Sequence, residues 1–438
     1  MRLKLRELTI LYKLVLLICI IVPWSASAHI SSPVKIIFDT DMGGDADDAG
    51  ALAVAHALMD MGDLEIIAVG VWTHDRHSVG CVSAINNYYG RPDIPIGVRS
   101  GGVWDPGSGN YNRAVAENHP HTLTTEIAPN VVDVYRQVLA SQPDSSVVIV
   151  TVGPLTNIRD LFQSDSDQHS DLNGIDLVRQ KVREFVIMGG QFPSGTWEWN
   201  FVGGGSGTTK YVVDNCPVPI MFSGFEIGVN IKTGIGLRNV QADNPVKTAY
   251  LDFNTNCPSW YTPCTREIQS SSSYDQTAVL YAARGLSNYW NAVTTGYNNV
   301  NDDGSNSWVS TNDPNKSHSY LTPLMDNSDL EIVIEELMMK PPEGTVGTIS
   351  KAVSSKTFSA PEIVPVGNFY RLGFTITQPG RVTASVYDIR GRFVNETEWK
   401  NLGAGTHRKT IQRSAAPGAY IAVIRHERAV LGTVRCPL

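Results

Sequence analysis

Short apolar runs alternate with stretches of helical periodicity as far as residue 340. Runs such as VKIIF, SVVIVTVG and VPIMFSG are almost entirely apolar, which is typical of strands that are covered by helices on both faces of a sheet. Stretches such as VVDVYRQVLA lie between them and repeat their apolar residues at helical spacing. This alternation constrains the fold most strongly. It predicts an α/β domain with a doubly wound, mostly parallel sheet and helices on both faces.

Aspartates collect where the first of these strands ends. The stretch DTDMGGDADD, residues 39–48, holds five aspartates and overlaps the end of the run VKIIFDT. Carboxylates at close range raise one another's pKa, so a cation is expected among them. The segments GPLTN, GTWEWN and YDQ follow later strands or open a later helix. Doubly wound sheets bind ligands at the carboxyl ends of their strands, so these polar segments are expected to converge on one rim.

The two ends of the chain differ in composition from this domain. A basic start, the apolar run LVLLICIIV and the small residues Ala26-Ser27-Ala28 predict a secretory signal peptide over residues 1–28. The α/β domain is then expected over residues 29–340, and no membrane span is expected in the mature chain. Residues 341–362 have the composition of a linker. Short alternating strands with Gly-bearing turns predict a small all-β sandwich over residues 363–438.

Charge and cysteine content restrict the partners and the compartment. The formal net charge of -8 at pH 7 predicts that neither nucleic acid nor an anionic membrane surface is a partner. Export would place the cysteines in an oxidising compartment. There, Cys257 and Cys264, which bracket PSWYTP, are suited to a local disulfide. Five cysteines follow the predicted signal peptide, so at least one of them is left without a partner within the chain.

Two metal-dependent alternatives for the aspartates can be tested on single positions. A calcium-binding EF-hand loop that starts at Asp41 or Asp45 needs a carboxylate at its twelfth position, where this chain has Leu52 or His56. That alternative fails. A magnesium-dependent phosphatase of the haloacid dehalogenase type also begins with a strand followed by Asp-x-Asp. Residues 39–41 satisfy this pattern, although Gly43 stands where such enzymes have Thr or Val, so the alternative stays open.

Several motifs together resemble the inosine-uridine nucleoside hydrolase family. The motifs DTDMGGDADDAGAL, VGPLTNI, VIMGG, EWN and YDQTAVL occur in the order and approximate spacing of that family, over roughly residues 34–290. Two extra residues precede the Asp-Asp pair relative to the shorter form of the family, which leaves Asp47-Asp48-Ala49 in the place of that pair. The first two motifs together are specific, whereas GPLTN or MGG alone would be weak.

The resemblance implies a calcium site and a general base. Calcium would be held by Asp41, Asp48, Asp275 and the backbone carbonyl of Val152, which suits a hard cation that prefers oxygen ligands. Asp47 would act as the general base that removes a proton from the attacking water. The substrate-side residues that the resemblance implies are Met188, Glu198 and Asn200. Trp199, inside the EWN motif, is expected to line the pocket, and Tyr274 stands where family members often carry a His that protonates the departing base.

The expected activity is therefore hydrolysis of the N-glycosidic bond of a nucleoside or related riboside. Calcium can bind the water and the sugar hydroxyls together, and the unliganded Asp47 can take the proton. The alternative from a different class is a non-catalytic, calcium-dependent sugar-binding module, which would not require Asp47. The expected small-molecule partner is a nucleoside or riboside, and further copies of the chain would be partners in a homo-oligomer.

The C-terminal region resembles a type IX secretion system sorting domain. The segments VTASVYDIRGRFV, LGAGTHRKTI and APGAYIAVI carry this resemblance. It implies that secretion machinery recognises the C-terminal domain, and that the protein is exported through the periplasm to be secreted or held at the cell surface. A carbohydrate-binding or adhesive sandwich is the alternative.

Overall fold

The computed structural model describes ten segments of the chain. They are residues 32–100, 110–261, 264–312, 317–342, 362–366, 369–376, 378–388, 393–412, 420–426 and 429–436. The predicted signal peptide and most of the predicted linker lie outside these residues. No helix among the described residues is long and apolar enough to cross a membrane.

A central sheet of eight strands organises the first domain. Its strands, in chain order, are β1 (Val34–Thr40), β2 (Leu64–Val71), β3 (Ile96–Val98), β4 (Val147–Thr151), β5 (Val182–Met188), β7 (Ile220–Ser223), β10 (Trp290–Val293) and β13 (His318–Pro323). Their spatial order is β10-β13-β7-β5-β4-β1-β2-β3. The neighbouring pairs are parallel except at one edge, where β10 runs antiparallel to β13.

Helices cover both faces of this sheet. They are α1 (Asp47–Asp60), α2 (Ser78–Tyr88), α3 (Asn112–Asn118), α4 (Val131–Ala140), α5 (Thr156–Phe162), α6 (Gly174–Lys181), α7 (Trp199–Val202), α8 (Thr208–Asn215), α9 (Phe225–Gly228), α10 (Pro245–Thr255), α11 (Tyr274–Arg284) and α12 (Asn327–Met338). Shorter strands lie outside the central sheet: β6 (Ser194–Gly195), β8 (Lys232–Thr233), β9 (Ser271–Ser272), β11 (Tyr297–Val300) and β12 (Asn306–Val309). A 3-10 helix covers Ile235–Asn239.

Alternate residues of the central strands enter two separate cores. Phe38 and Val150 pack in a core with α1, α2, α11 and α12, whereas Ile37 and Ile149 pack in a core with α4, α5, α6 and α8. Burial on both sides explains why these strands are apolar throughout. Helix α1 is buried from Asp47 to Leu58, and its many alanines suit a helix that packs closely against its neighbours.

The chain changes direction at the middle of the sheet. It runs outward from β1 through β2 to β3 and then returns to β4, which pairs with β1 on its other side. The carboxyl ends of β1 and β4 therefore face a topological switch point, which is where doubly wound sheets bind ligands.

The C-terminal strands form two smaller sheets. These strands are β14 (Glu362–Val366), β15 (Phe369–Ile376), β16 (Gly380–Asp388), β17 (Phe393–Leu402), β18 (Gly405–Gln412), β19 (Tyr420–His426) and β20 (Ala429–Cys436). The sheets have the orders β14-β15-β18 and β17-β16-β19-β20. Residues such as Leu372, Val382 and Ile424 form their common core. The predicted fold class, an α/β domain followed by a small all-β domain, is confirmed.

Five cysteines lie among the described residues. Cys257 and Cys264 form a disulfide, which confirms the predicted local pairing. Cys81, Cys216 and Cys436 are free thiols.

Candidate functional site

Four polar segments meet at the switch point, and the loop after β1 lies at their centre. Asp41 directly follows β1, and Asp47 and Asp48 form the first turn of α1. Unpaired N–H groups and the helix dipole favour negative charge at this end of a helix. Asp45, Asp47 and Asp48 each place one carboxylate oxygen within 4.8 Å of the others.

The segment after β4 contacts this loop directly. Gly153 lies so close to Asp41 that a Cβ on this glycine would be 2.8 Å from the Asp41 backbone nitrogen. Val152, which resemblance placed at the calcium, donates its N–H to the Asp39 carbonyl over 2.8 Å. Its own carbonyl accepts a hydrogen bond from Asn200 Nδ2 over 3.0 Å. The segments after β1, β4 and β5 are thereby joined.

Helix α11 brings the last predicted metal residue to the same place. Asp275 lies in the first turn of α11 and is buried. Oδ2 of Asp47 accepts hydrogen bonds from the backbone N–H groups of Tyr274, over 3.0 Å, and Asp275, over 3.3 Å. The starts of α1 and α11 are thus linked through the carboxylate that the sequence assigned as the general base.

The carboxyl groups of this cluster favour their neutral forms in the absence of a cation. Burial raises the pKa of Asp41 to about 8, an effect that the Trp199 hydrogen bond opposes and the Asp45 carboxylate reinforces. Burial and then neighbouring carboxylates raise the pKa of Asp48 and Asp275 well above the usual value. Burial and then Asp45 do the same for Asp47. A bound cation would favour the ionised forms, because it would offset the cost of burying their charge and the repulsion between them.

Unpartnered carboxylate oxygens in this cluster indicate whether its residues suit a cation. Asp47 Oδ1 and Asp48 Oδ2 are buried and have no hydrogen-bond partner among the described residues. Oδ1 of Asp48 accepts a short hydrogen bond from Thr40. Buried charged oxygens need a donor or a cation, and hard oxygen ligands are what calcium prefers. The residues present fit a metal ion, and Asp45 belongs to the cluster.

Asp39 also keeps one buried oxygen without a partner among the described residues, but its other oxygen binds the side chains of two helices. It is fully buried, and its Oδ2 accepts hydrogen bonds from the Tyr135 hydroxyl and from Asn157 Nδ2, the latter over 2.8 Å. Burial raises its pKa to about 7, against the effect of these two bonds. Asp39 thus ties β1 to α4 and α5. The Asn of the GPLTN motif is one of its partners, a role that the sequence did not predict.

The predicted substrate-side residues lie beside the cluster, but several of their polar atoms have partners within the protein. Glu198 caps α7 and accepts hydrogen bonds from the N–H groups of Gly190, Asn200 and Phe201. Burial raises its pKa to about 7. Asn200 Nδ2 also donates to the Met188 carbonyl over 3.1 Å. These contacts organise the EWN loop, and the predicted sugar contacts of these residues stay predictions.

The two aromatic residues of the predicted site have distinct contacts. Trp199 Nε1 donates a hydrogen bond to Asp41 Oδ2 over 2.8 Å, and its ring meets Trp72 edge to face at 6.4 Å between centroids. Trp199 therefore orients a predicted metal-binding carboxylate, and its predicted place in the substrate pocket stays a prediction. The Tyr274 ring stacks on Phe225 at 5.3 Å between centroids.

Comparisons with known proteins identify one matching family and structures of similar fold. The family model described as inosine-uridine preferring nucleoside hydrolase matches residues 36–308, which is more than half of the chain. A search of the curated proteins finds no match. One similar structure is the effector protein XOO4466, with a TM-score of 0.52 and 13% identity; the match covers 70% of this chain and 94% of that protein. Another is the type III effector protein XopQ complexed with adenosine diphosphate ribose, also with a TM-score of 0.52 and 13% identity; the match covers 70% of this chain and 93% of that protein.

A further similar structure is the inosine-uridine preferring nucleoside hydrolase from Bacillus anthracis. It has a TM-score of 0.49 and 13% identity and covers 70% of this chain and 99% of its own. At such identity the two effector structures show a shared fold alone. The family is shown by the sequence match, which includes the loop after β1, the segment after β4 and the start of α11. The chain belongs to the inosine-uridine preferring nucleoside hydrolase family.

Proposed function

We propose that this protein is a calcium-dependent hydrolase that cleaves the N-glycosidic bond of ribonucleosides or related ribosides. The products would be ribose and the free base. Family membership supports glycosidic bond hydrolysis, and the buried acidic cluster at the switch point supports a metal-dependent mechanism. The substrate class and the identity of the ion are the parts of this proposal that need experiment.

The observation that carries the proposal is the division of contacts at Asp47. One of its oxygens is fixed by two backbone N–H groups of α11, and the other is buried with no hydrogen-bond partner in the described part of the chain. A general base needs this combination, because one oxygen must orient the group while the other receives the proton. Asp39 and Asp48 also keep one buried oxygen without a partner among the described residues, so the assignment of Asp47 as the base rests on this geometry together with the family resemblance.

The proton and bond changes follow from these assignments. A water molecule attacks the anomeric carbon of the sugar, and the bond between this carbon and the base nitrogen breaks. Asp47 Oδ1 takes the proton from the water, and the bond electrons leave with the base, which gains a proton from solvent or from a donor at the site. Carboxylates nearby stabilise the positive charge that develops on the sugar in such transition states.

Calcium would be held by Asp41, Asp48, Asp275 and the Val152 carbonyl, with Asp45 as a further candidate. When bound, a calcium ion supplies positive charge that lowers the pKa of a water molecule and orients sugar hydroxyls. The chain's own contribution is to fix these ligands. Trp199 orients the Asp41 carboxylate, and Thr40 orients Asp48.

The test is hydrolysis of a panel of ribosides by the full chain. Inosine, adenosine, uridine and a nitrophenyl riboside would be incubated with calcium or with excess chelator, and the release of ribose and free base would be measured. We expect release with calcium and none with chelator. Full activity after exhaustive metal removal would contradict the calcium assignment.

The same assay separates the alternatives. Phosphate release from a phosphomonoester with magnesium would favour the phosphatase, against which the family match argues. Calcium-dependent binding of ribose without hydrolysis of any riboside would favour the sugar-binding module.

We further propose that the protein is exported and recognised by secretion machinery through its C-terminal domain. The support is the signal-like start of the chain and the resemblance of residues 363–438 to a sorting domain. Fractionation of cells expressing the full chain, and a version that ends at residue 340, would test this. We expect the shortened chain to stay inside the cell envelope.

A further inference from the structure

The turn between the aspartates is held by a distant part of the chain. Met42 and Gly43 lie between Asp41, at the end of β1, and Asp45, before α1. The Gly43 N–H donates to the Tyr111 hydroxyl oxygen over 3.1 Å, and the Met42 carbonyl accepts a hydrogen bond from Asn112 Nδ2 over 2.8 Å.

The side chains of Tyr111 and Asn112, which together form a clamp on this turn, lie at the start of α3 and are fully buried. Tyr111 and Asn112 each have 0% exposure. The Tyr111 hydroxyl also contacts the Met42 sulfur, as a donor over 3.2 Å. Buried polar groups are retained where they have specific partners, and here the partners are the main chain and side chain of one turn.

The clamp is itself fixed by the loop after β2. Asn112 Nδ2 also donates to Asp75 Oδ2 over 2.7 Å, and Asn110 Nδ2 contacts the same oxygen over 3.3 Å. Asp75 Oδ1 accepts the N–H of His77 over 2.6 Å. The Asn112 amide nitrogen therefore ties two loops to each other, those that follow β1 and β2.

The fit between the clamp and the turn requires glycine at position 43. Gly43 has φ of +116°, a region that L-residues rarely adopt, and a Cβ here would lie 2.3 Å from Asn112 Nδ2. A side chain at position 43 would therefore push the turn away from the Asn112 amide, and the hydrogen bonds of Tyr111 and Asn112 to the turn need that close approach. This contact links residues about seventy positions apart, so no local motif predicts it.

We propose that Asn112 and Tyr111 are positioning residues for the metal site. They hold the turn that brings Asp41 together with the carboxylates of Asp45, Asp47 and Asp48. Mutual repulsion favours an open loop, so a compact turn benefits from donors outside the acidic segment. This inference rests on the proposed function for the identity of the ion, and it adds residues that neither the motifs nor the acidic cluster contain.

The test measures calcium binding to the full chain by titration calorimetry. Asn112→Ala removes both amide hydrogen bonds, and we expect calcium affinity to fall by roughly 10- to 100-fold, the usual effect of losing a residue that orients metal ligands. The matched control is Asn118→Ala in the same helix, since Asn118 is exposed and bonds only the Ala114 carbonyl among described partners. Its affinity should stay within about twofold of wild type.

A second readout distinguishes positioning from general loss of structure. With Asn112→Ala, the calcium concentration for half-maximal hydrolysis should rise by the same factor, and turnover at saturating calcium should return to near the wild-type rate. Tyr111→Phe keeps the buried ring and removes only the hydroxyl, so it remains informative if Asn112→Ala fails to fold. We expect a smaller loss of calcium affinity, roughly two- to tenfold.

The outcomes separate this inference from the proposed function. Calcium binding of equal strength in wild type, Asn112→Ala and Tyr111→Phe would overturn the inference alone. Loss of turnover with unchanged calcium affinity would also overturn it. A wild-type chain that binds no calcium would overturn the proposed ion and this inference with it.

Discussion

Two regions of the same domain contain buried charged groups, and they differ in whether those groups have partners within the chain. Around Arg136, which is 2% exposed, the guanidinium donates to both oxygens of Asp167, over 2.7 and 3.0 Å, and also to Ser164 Oγ and to the Ser170 and Leu172 carbonyls. In the acidic cluster, Asp47 and Asp48 each keep a buried oxygen without a partner among the described residues.

The difference also appears in the direction of the pKa shifts. The Arg136 hydrogen bonds lower the pKa of Asp167 to about 2, whereas burial raises that of Asp41 to about 8. A buried charge that finds its partners within the chain is complete as a structural element. Neighbouring carboxylates that repel one another need a bound cation to offset their charge. The comparison therefore favours the acidic cluster as the functional region and the Arg136 region as part of the scaffold.

The largest effect is expected within the acidic cluster, from removing the general base. Asp47→Asn should reduce turnover by a factor on the order of 10²–10⁴ while calcium affinity is largely kept, because the amide can still bind the α11 backbone through its oxygen but cannot take a proton. Asp48→Asn should instead weaken calcium binding. Turnover and calcium titrations would be measured for both variants.

The control for these variants comes from the other charged region. Asp133 pairs with His169 close to Arg136 and is part of a second acidic group, with Asp167. Asp133→Asn should leave turnover and calcium affinity unchanged. Equal loss of calcium affinity in Asp47→Asn and Asp48→Asn would show that the two carboxylates do not divide the roles assigned to them.

Metal removal should destabilise the acidic region in a pH-dependent manner. Asp39 and Asp41 have folded pKa values of about 7 and about 8, against a reference of 3.8. Between about pH 4 and pH 8 the folded chain therefore binds more protons than the unfolded chain, so stability in chelator should fall as pH rises through this window. Calcium at a hundred times its Kd should add about 2.7 kcal/mol, most effectively at the alkaline end.

Thermal unfolding at pH 5, 6.5 and 8, with chelator, calcium or magnesium, would measure this effect. Magnesium should stabilise poorly, because it demands tight octahedral geometry. A melting temperature in chelator that is the same at all three pH values would contradict the raised pKa values of Asp39 and Asp41, for which burial is the main cause.

The Arg136 region should respond in stability and not in activity. Arg136→Met leaves Asp167 without its main partner, and we expect the free energy of unfolding to fall by about 2 kcal/mol, less than for a fully buried pair because the Asp167 side chain is 27% exposed. Turnover at saturating calcium should be unchanged. Denaturant unfolding and hydrolysis assays would measure the two quantities. A large loss of turnover with little loss of stability would show that the two regions are coupled.

The fold and the position of the acidic cluster were largely predictable from the sequence. The apolar runs predicted the central strands, and the stretch VVDVYRQVLA, which was predicted as a helix, forms α4 (Val131–Ala140). Since parallel strands share the edge at which they end, the sequence also predicted that the polar segments converge. The contacts between these segments were not predictable, because Asp39 bonds Tyr135 and Asn157 from helices that are distant in sequence. Motifs indicate residue types but not which atoms already have partners. Glu198, which was predicted at the substrate, accepts hydrogen bonds from three backbone N–H groups within the protein.

The smallest effect is expected at Tyr274, at the edge of the acidic cluster. Its contact with Asp47 is through the backbone N–H, so Tyr274→Phe keeps that bond. Burial raises the pKa of the hydroxyl to about 12, against the effect of a hydrogen bond with Ser272, which makes it a weak acid for a departing base. We therefore expect turnover of an activated nitrophenyl riboside to stay within about twofold and that of uridine to fall by at most roughly fivefold. Rates for both substrates would be compared in wild type and variant. A large loss confined to uridine would show that the hydroxyl donates to the leaving group, whereas rates unchanged from wild type on both substrates would show that the ring contributes through packing on Phe225.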